Sequence, residues 1–482
     1  MKIRINTDKE IKQFEDPTGW HNSTLRYAPP KDFPAHLART IGRPKIMRVF
    51  ITLDEFYELS TDTYYPNYTI GEPRVPLSDR YYPYEWRTIV TGPTKPSFEE
   101  YLTSHAENAD ELLLNVRRFE REVSDGIITY EKFAEILKTA LEHCKRIAPN
   151  IKYIEMCNEI EFNAFGGVSA EDYVKLYIVA YKVVKKLNTE HNYDIPLEIG
   201  GYSAAYPINR FPLMRDVMTL LSKSEIKECP MDFYCFHYYA CGVSAMIDDG
   251  YVDEAELSDI EHLKFIHNQH NKLISDLGLP EKPIMLDELG RASCTGVPAH
   301  NLYNASGTLT YLIAFERGEL GNMYPFPWCS FHHPGWQLSY TQFLYNDDGS
   351  YTITPFGLAV GMLHSMNGIE LASEVWDATG KNAEHRVIAT NDGEKLTILC
   401  INPTNDTIPY RIYLENLEDG EYSADVYTIN EVTNNSLTAK EKWTGELTVT
   451  NTLDFVSSEG SAYFVLAFKR DQISKIVINK KR

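Results

Sequence analysis

The chain has 482 residues, of which 43% are hydrophobic and 24% charged, a composition typical of a globular protein with a large buried core. The 47 basic and 68 acidic residues give a formal net charge of −21, which disfavours a nucleic acid or an anionic membrane surface as a partner. The length fits one large α/β barrel with a smaller second domain.

The N-terminus and the cysteines indicate the compartment. Residues 1–8 lack the apolar stretch of a signal peptide, and no apolar run approaches the ~20 residues of a membrane span. The eight cysteines form no CxxC pair, which favours reduced core residues. We therefore expect a cytoplasmic protein with no metal or other cofactor, unless a leader has been trimmed. A metal site of Cys229, Cys235 and Cys241 is disfavoured because the spacing differs from that of zinc modules.

In chain order, short apolar runs alternate with amphipathic helical stretches from about residue 44 to 330. This pattern predicts a TIM (β/α)8 barrel. Seven strands are expected at 45–53, 111–116, 152–158, 196–200, 231–237, 282–287 and 322–328. The remaining first strand is expected around 14–20, before a helix at 34–40. Helices at 130–147 and 170–187 should begin after Thr129 and Ser169, which are good N-caps.

Two loops, 54–96 and 329–354, are too long to be simple connections and are rich in tyrosine and tryptophan. Aromatic rings offer flat apolar faces to a sugar and keep a polar tip for its hydroxyl groups. We expect these loops to cover the active face, with Trp336 in contact with substrate. For any single ring, simple packing onto the barrel is the alternative.

After a helix at about 356–365 the sequence changes to period-two alternation separated by polar turns, which predicts an antiparallel β-sandwich. An early strand within 1–10 is expected to join it. The predicted domains are therefore a catalytic barrel at 15–365 and an accessory sandwich at 366–482 with strand 1–10. The sandwich contains an Asn430-Glu431 pair, to which we assign no chemistry.

Two glutamates, Glu159 and Glu288, each end a predicted buried strand. The carboxyl ends of barrel strands carry the chemistry of such folds, and a pair of carboxylates is the usual equipment for breaking a glycosidic bond. We predict that Glu159 is the general acid and base and Glu288 the nucleophile. Asp287 stays a rival nucleophile, since strand side chains alternate and only one of the two neighbours should point to the barrel axis.

Further polar and aromatic residues at predicted strand ends are candidates for substrate binding. Asn158 can offer an amide to a sugar hydroxyl, and Tyr239 can donate to the nucleophile while His237 orients the sugar or the acid. Arg48 is a charge within an apolar strand and needs a partner, either a catalytic carboxylate or a structural one. Trp328, after the last strand, is expected to form the floor of the sugar site or part of the core.

These motifs resemble those of the clan A glycoside hydrolases. Residues 155–159, Glu-Met-Cys-Asn-Glu, are similar to the acid/base motif Glu-x-Trp-Asn-Glu, and 237–239 to the His-x-Tyr after the sixth strand. Glu288 matches the nucleophile at the end of the seventh strand. The accessory sandwich is also found in glycoside hydrolase family 39, which includes β-xylosidases. Cys157, Ile160 and Asp287 depart from the usual residues, namely Trp, Pro and a small hydroxyl residue.

The resemblance implies a retaining double displacement on a β-linked neutral oligosaccharide such as a β-xyloside. The expected partner is this glycoside, with a homo-oligomer possible. One alternative is a catalytically inactive barrel that binds sugar. Another is a metal-dependent hydrolase using His332 and His333, which is disfavoured because adjacent histidines in an extended segment point apart.

Overall fold

The computed structural model of the protein describes residues 1–23, 29–70, 96–162, 165–205, 212–240, 259–291, 297–332, 338–346, 348–376, 385–438 and 446–481. Several residues of interest lie outside this part of the chain: Trp336, His333, Cys241, the side chain of His332, and positions 71–95 of the first long loop.

The strands are, in chain order, β1 (Lys2–Gln13), β2 (Trp20–Asn22), β3 (Ile46–Thr52), β4 (Tyr57–Glu58), β5 (Thr63–Tyr64), β6 (Glu111–Arg117), β7 (Ile151–Asn158), β8 (Glu198–Ala204), β9 (Phe233–Tyr239), β10 (Ile284–Gly290), β11 (Met323–Pro327), β12 (Phe331–His332), β13 (Phe343–Tyr345), β14 (Tyr351–Ile353), β15 (Ile369–Trp376), β16 (Arg386–Asn391), β17 (Leu396–Ile401), β18 (Ile408–Glu415), β19 (Gly420–Ile429), β20 (Asn451–Ser457), β21 (Ser461–Phe468) and β22 (Ile473–Lys480).

The helices are α1 (Phe33–Ile41), α2 (Leu53–Phe56), α3 (Phe98–Asn108), α4 (Glu120–Ser124), α5 (Tyr130–Ile147), α6 (Ala170–His191), α7 (Pro212–Leu221), α8 (Asp259–Asp276), α9 (Pro298–Glu316) and α10 (Pro355–His364). None of these described helices combines the length and the apolar character needed to cross a membrane.

Eight parallel strands form the barrel, in the order β2, β3, β6, β7, β8, β9, β10 and β11. The two ends of this sheet meet, because the Ser330 N–H donates to the Asn22 carbonyl at 3.0 Å and the Asn22 side-chain amide donates to the Phe326 carbonyl at 3.1 Å. This arrangement confirms the predicted TIM barrel. The first strand is Trp20–Asn22, whereas it was expected around 14–20. A strand of three residues is too short to show as an apolar run in the sequence.

The predicted helix starts are confirmed. The Thr129 hydroxyl accepts from the Lys132 N–H, and the Ser169 hydroxyl accepts from the Asp172 N–H, so each satisfies a backbone donor that the first turn leaves unpaired. Both long helices bury an apolar face in the core. Gly200 in β8 allows the neighbouring strand to come close, since a Cβ there would lie 2.4 Å from the Phe233 carbonyl oxygen.

The barrel interior is layered. Successive strand residues point to opposite faces, so Ile46 and Arg48 share a side, as do Leu113 with Asn115. The lower layer is an apolar cluster consisting of Ile46, Leu113, Tyr153, Phe233, Cys235, Met285 and Phe326. One step toward the carboxyl ends, the inward positions are polar and fully buried. The polar layer therefore rests on a packed apolar base.

The second sheet has nine strands in the order β20-β19-β22-β17-β16-β15-β1-β18-β21. It forms the expected C-terminal domain, and β1 joins it as predicted, over a longer span. One pairing is a correction: β1 runs parallel to β18, whereas period-two alternation had suggested antiparallel neighbours throughout. One face of the sheet shares a core with the barrel through Ile388, Leu399 and Ile473. The domain boundary near residue 365 stays a prediction.

Candidate active site

A cluster of polar side chains lies at the carboxyl ends of the barrel strands. Its members come from β3, β7, β8, β9 and β10 and from the residue after β7. They are Arg48, Glu155, Asn158, Glu159, Ser203, His237, Tyr239, Asp287 and Glu288. The structure thus brings together residues that are up to 240 positions apart in the chain.

Glu159 and Glu288 face each other across His237. One carboxylate oxygen from each glutamate and a ring nitrogen of His237 all lie within 4.8 Å of one another. Retaining glycosidases hold their two carboxyl groups about 5 to 5.5 Å apart, whereas inverting enzymes need about 6.5 to 9.5 Å to admit a water molecule. The closest oxygens of this pair lie nearer to each other than the separation that inverting enzymes need.

The turn after β7 carries Glu159 away from the strand. Cys157 and Glu159 both have left-handed backbone conformations, with φ of 70° and 49°. Such angles are costly for residues other than glycine and persist where the surroundings hold them. The Glu159 N–H donates to the Ser203 carbonyl at 2.8 Å, which ties the turn to the end of β8. This tie fixes the direction of the Glu159 side chain.

Arg48 is the charge centre of the cluster. Its guanidinium binds Glu155 with two hydrogen bonds, at 2.8 and 2.7 Å, and contacts Glu288 Oε1 at 3.1 Å and Asp287 Oδ2 at 3.2 Å. Both partners foreseen from sequence, a structural carboxylate and a catalytic candidate, are therefore present. Arg48 is 0% exposed, and the contacts described here are with carboxylates; its role in binding substrate stays a prediction.

Asp287 and Glu288 both point into the cluster, which corrects the expectation that only one could do so. Met285 pairs with Cys235, and Glu288 pairs with His237. Three residues of β10 therefore cover the distance that two residues of β9 cover. The register to β11 shifts at the same place. The extra residue is a β-bulge, which interrupts the alternation of side chains and re-aims them.

The environments of these two neighbours differ. Asp287 is 0% exposed and is bound by the Ser203 hydroxyl and Arg48, whereas Glu288 is 8% exposed. Burial alone would raise the pKa of Asp287, but the charges of Arg48 and His237 bring it to about 2. Burial raises the pKa of Glu288, although the same two cations oppose this effect. The accessible carboxylate is therefore that of Glu288.

Tyr239 and His237 hold the two glutamates. The Tyr239 hydroxyl donates to Glu288 Oε2 at 2.8 Å, and His237 Nδ1 lies 2.8 Å from Glu159 Oε1. Burial would lower the pKa of His237, but Glu288 and Asp287 raise it well above its ordinary value. His237 is 0% exposed and contacts Glu159, which favours the predicted role of orienting the acid; its role in binding substrate stays a prediction.

Asn158 and Trp328 complete the predicted set within the described chain. Asn158 Oδ1 accepts from Arg48 at 2.8 Å, which fixes the orientation of its side-chain amide. Trp328 is half-buried after β11, and its ring meets Phe50 edge-on with centroids 6.5 Å apart. Phe50 in turn faces the Arg48 guanidinium at 4.7 Å. Trp328 therefore borders the cluster through Phe50.

Two residues of the cluster, Ser203 and Glu155, were not identified from sequence, and neither was Glu161, whose carboxyl interacts with Glu159 and His237. Ser203 was missed because the predicted fifth strand ended at residue 200, whereas β8 continues to Ala204. Burial raises the pKa of Glu155 to about 7 despite the charge of Arg48. Burial and the charge of Glu159 raise the pKa of Glu161 to about 7 as well. Glu155 lay within the quoted motif, which was a signal for it.

A metal ion fits this cluster poorly. Two sets of possible ligand atoms lie in the cluster: Glu159 with His237 and Glu288, and Glu155 with Cys235 and Asp287, both of whose carboxylates bind Arg48. However, both ring nitrogens of His237 already have partners, Glu159 and the Ser203 hydroxyl, and Glu288 receives the Arg48 cation. A divalent ion would have to displace these contacts and lie beside a buried guanidinium.

Comparisons with known proteins give a consistent picture of the fold. The sequence matches no protein-family model and no curated protein. Solved structures do match over the whole chain. One is a GH39 enzyme from Xanthomonas axonopodis pv. citri, with 14% identity, a TM-score of 0.64, and coverage of 100% of this chain and 97% of that one.

Two further matches cover 100% of both chains. A monomeric β-xylosidase from Caulobacter crescentus CB15 is 13% identical with a TM-score of 0.63. An α-L-arabinofuranosidase from Thermotoga maritima is 15% identical with a TM-score of 0.60. The fold of this chain, a TIM barrel followed by a sheet domain, is thus the fold that the resemblance to clan A and family 39 implied.

Proposed function

We propose that the protein is a retaining glycoside hydrolase of the clan A type, with Glu159 as general acid and base and Glu288 as nucleophile. The observation that carries the proposal is the pair of facing carboxylates within 4.8 Å of each other across His237. The matches to GH39 enzymes and other glycosidases support the same reaction class.

In the first step, Glu288 attacks the anomeric carbon while Glu159 donates a proton to the leaving oxygen. Tyr239 and Arg48 each donate to one oxygen of Glu288, so the carboxylate is held in a fixed orientation for attack. In the second step, Glu159 takes a proton from water, and this water cleaves the glycosyl ester. The neighbouring Asn158 amide is suited to a hydroxyl of the reacting sugar.

For the substrate we propose a neutral, β-linked glycoside such as a β-xyloside. Support comes from the strongly negative charge of the chain and from the β-xylosidase among the structural matches. A location in the cytoplasm and self-association stay predictions from sequence.

The assignment is tested with a panel of nitrophenyl glycosides and matching disaccharides. Glu288→Ala should abolish turnover of all of them. Glu159→Ala should lower kcat/KM for disaccharides by about 100- to 10,000-fold but spare nitrophenyl glycosides, whose leaving group needs little protonation. Glu394→Ala, an exposed residue of the second sheet, is the control and should match the wild type. Normal turnover in the Glu288 or Glu159 variant would refute the assignment.

A further inference from the structure

Ser203 and Asp287 lie beneath the two glutamates and join them to His237. We propose that Asp287, acting through the Ser203 hydroxyl, fixes a proton on Nε2 of His237 and keeps this imidazole positively charged beside Glu159. The catalytic meaning of this inference rests on the proposed function. Both residues are 0% exposed and are therefore positioning residues that do not contact substrate.

The hydrogen bonds determine where the protons lie. The Ser203 hydroxyl donates to Asp287 Oδ2, and Ser203 Oγ accepts from Arg48 Nη2 at 3.0 Å. A hydroxyl has a single hydrogen, so Ser203 has none left for His237 Nε2, which lies 2.6 Å from Oγ. That nitrogen must therefore be the donor. Nδ1 lies 2.8 Å from Glu159 Oε1, and a proton on this nitrogen as well gives the imidazolium, which the neighbouring charges of Glu288 and Asp287 favour.

Asp287 is the one carboxylate beside His237 Nε2 whose charge stays constant during the proposed reaction. Glu288 also lies near this nitrogen, at 3.5 Å, but it loses its negative charge when it forms the glycosyl ester. Glu159 gains and loses a proton in each cycle. Asp287 lies 3.6 Å from Nε2, and its pKa of about 2 keeps it ionised throughout.

The ionisable groups around His237 come from β3, β9 and β10 and from the turn after β7, while the neighbouring strand β8 contributes the Ser203 hydroxyl. They are Arg48 on β3, Glu159 and Glu161 after β7, Tyr239 on β9, and Asp287 and Glu288 on β10. Burial disfavours the imidazolium, and Arg48 is a like charge bound to the same Ser203 oxygen. When Glu288 is esterified, Asp287 is needed to balance these two effects.

The proton on His237 can be measured without activity. The NMR signal of its ring Cε1–H is assigned by its absence in His237→Gln and followed against pH in the intact protein. We expect the wild-type ring to stay protonated well above the ordinary range, and Asp287→Asn to lower the midpoint by about 1 to 3 pH units. Ser203→Ala should lower it too. If the Asp287→Asn variant does not fold, Ser203→Ala provides the same test, because it removes the hydroxyl through which Asp287 acts.

A matched control exists elsewhere in the chain. Asp16 pairs with His364 at 2.7 Å and raises the pKa of that histidine. Asp16→Asn makes the same chemical change outside the cluster. It should alter the titration of His364 and leave that of His237 unchanged.

Kinetics provide the second readout. In Ser203→Ala, which removes no charged group, the alkaline limb of kcat/KM for a disaccharide should move to higher pH as the NMR midpoint falls, because Glu159 loses the neighbouring positive charge that favours its ionised form. An unchanged His237 midpoint in both variants overturns the inference, even if activity is lost. A wild type that hydrolyses no glycoside contradicts the proposed function alone, because the NMR midpoint still tests the placement of the proton.

Discussion

At the scale of single residues, the site is a balance of charges in a buried space. Arg48 and His237 carry the positive charges, and Glu155, Asp287, Glu288 and Glu159 surround them. An uncompensated charge in such a place would be costly, so each group depends on its neighbours. Substitutions of one member should therefore change the behaviour of another, in ways that can be measured.

The hydrogen bond from Tyr239 to Glu288 gives the first prediction. Tyr239→Phe removes a donor to a carboxylate, and a hydrogen bond to a charged group contributes about 1.5 to 3 kcal/mol. We expect kcat/KM to fall by about ten- to a hundredfold, with the fold retained. Tyr463→Phe, at a ring that is 65% exposed on the second sheet, should have no effect. Equal activities of the two variants would show that the Tyr239 contact does not support the reaction.

At the scale of elements, the sequence predicted the strands and helix starts that apolar runs and capping residues mark. It missed one short strand and one β-bulge, which depend on local geometry. Seven barrel strands were located because each has a continuous buried run, and two helix starts because Thr129 and Ser169 are good caps. The strand β2 has too few residues to produce a pattern. The bulge in β10 follows from pairing with β9 and β11, so alternation within β10 could not indicate it.

The turn after β7 gives a second prediction, on pH and stability. Glu161 Oε1 accepts from the Ala205 N–H at 2.5 Å, and its Oε2 is buried without a hydrogen-bond partner in the described part of the chain. Its pKa of about 7 lies above the ordinary value of 4.5. A carboxyl with a raised pKa binds its proton more tightly in the folded state, so folding is favoured at low pH and weakened as pH rises from about 4.5 to 7.

Glu161→Gln removes this ionisation and keeps the acceptor for Ala205. The free energy of unfolding of the variant, relative to wild type, should therefore be higher at pH 8 than at pH 5, by up to about 3 kcal/mol. Denaturant titrations at the two pH values measure it. Glu394→Gln, on an exposed turn, should show no such difference. A relative stability that does not vary with pH would contradict the buried, proton-binding state of Glu161.

At the scale of the whole molecule, the barrel and the second sheet are built as one structure. The chain begins in β1, which lies between β15 and β18 of the C-terminal sheet, and then crosses to the barrel. Arg291 from the barrel donates to the Pro403 carbonyl at 2.7 Å, and Ser306 donates to Asp471 at 2.9 Å. A shared apolar core joins the two units. We therefore expect them to unfold together.

Two substitutions in β1 test this expectation. Ile5 is 0% exposed in the core of the second sheet, whereas Ile11 in the same strand is 53% exposed. Ile5→Ala should lower the free energy of unfolding by about 2 to 5 kcal/mol, and Ile11→Ala should stay within about 0.5 kcal/mol of wild type. Calorimetry should show one transition that Ile5→Ala moves as a whole. Two transitions, with only one of them moved, would show that the sheet unfolds independently.

The proposed mechanism depends on a covalent bond between Glu288 and the sugar. Trapping this glycosyl ester tests the mechanism most directly. A 2-deoxy-2-fluoro glycoside with a good leaving group should inactivate the enzyme, because the fluorine slows both steps whereas the leaving group speeds only the first, so that the glycosyl ester accumulates. Mass spectrometry of the digested protein should find the added sugar on Glu288. A label on Asp287 or Glu159, or turnover with no covalent adduct, would contradict the account.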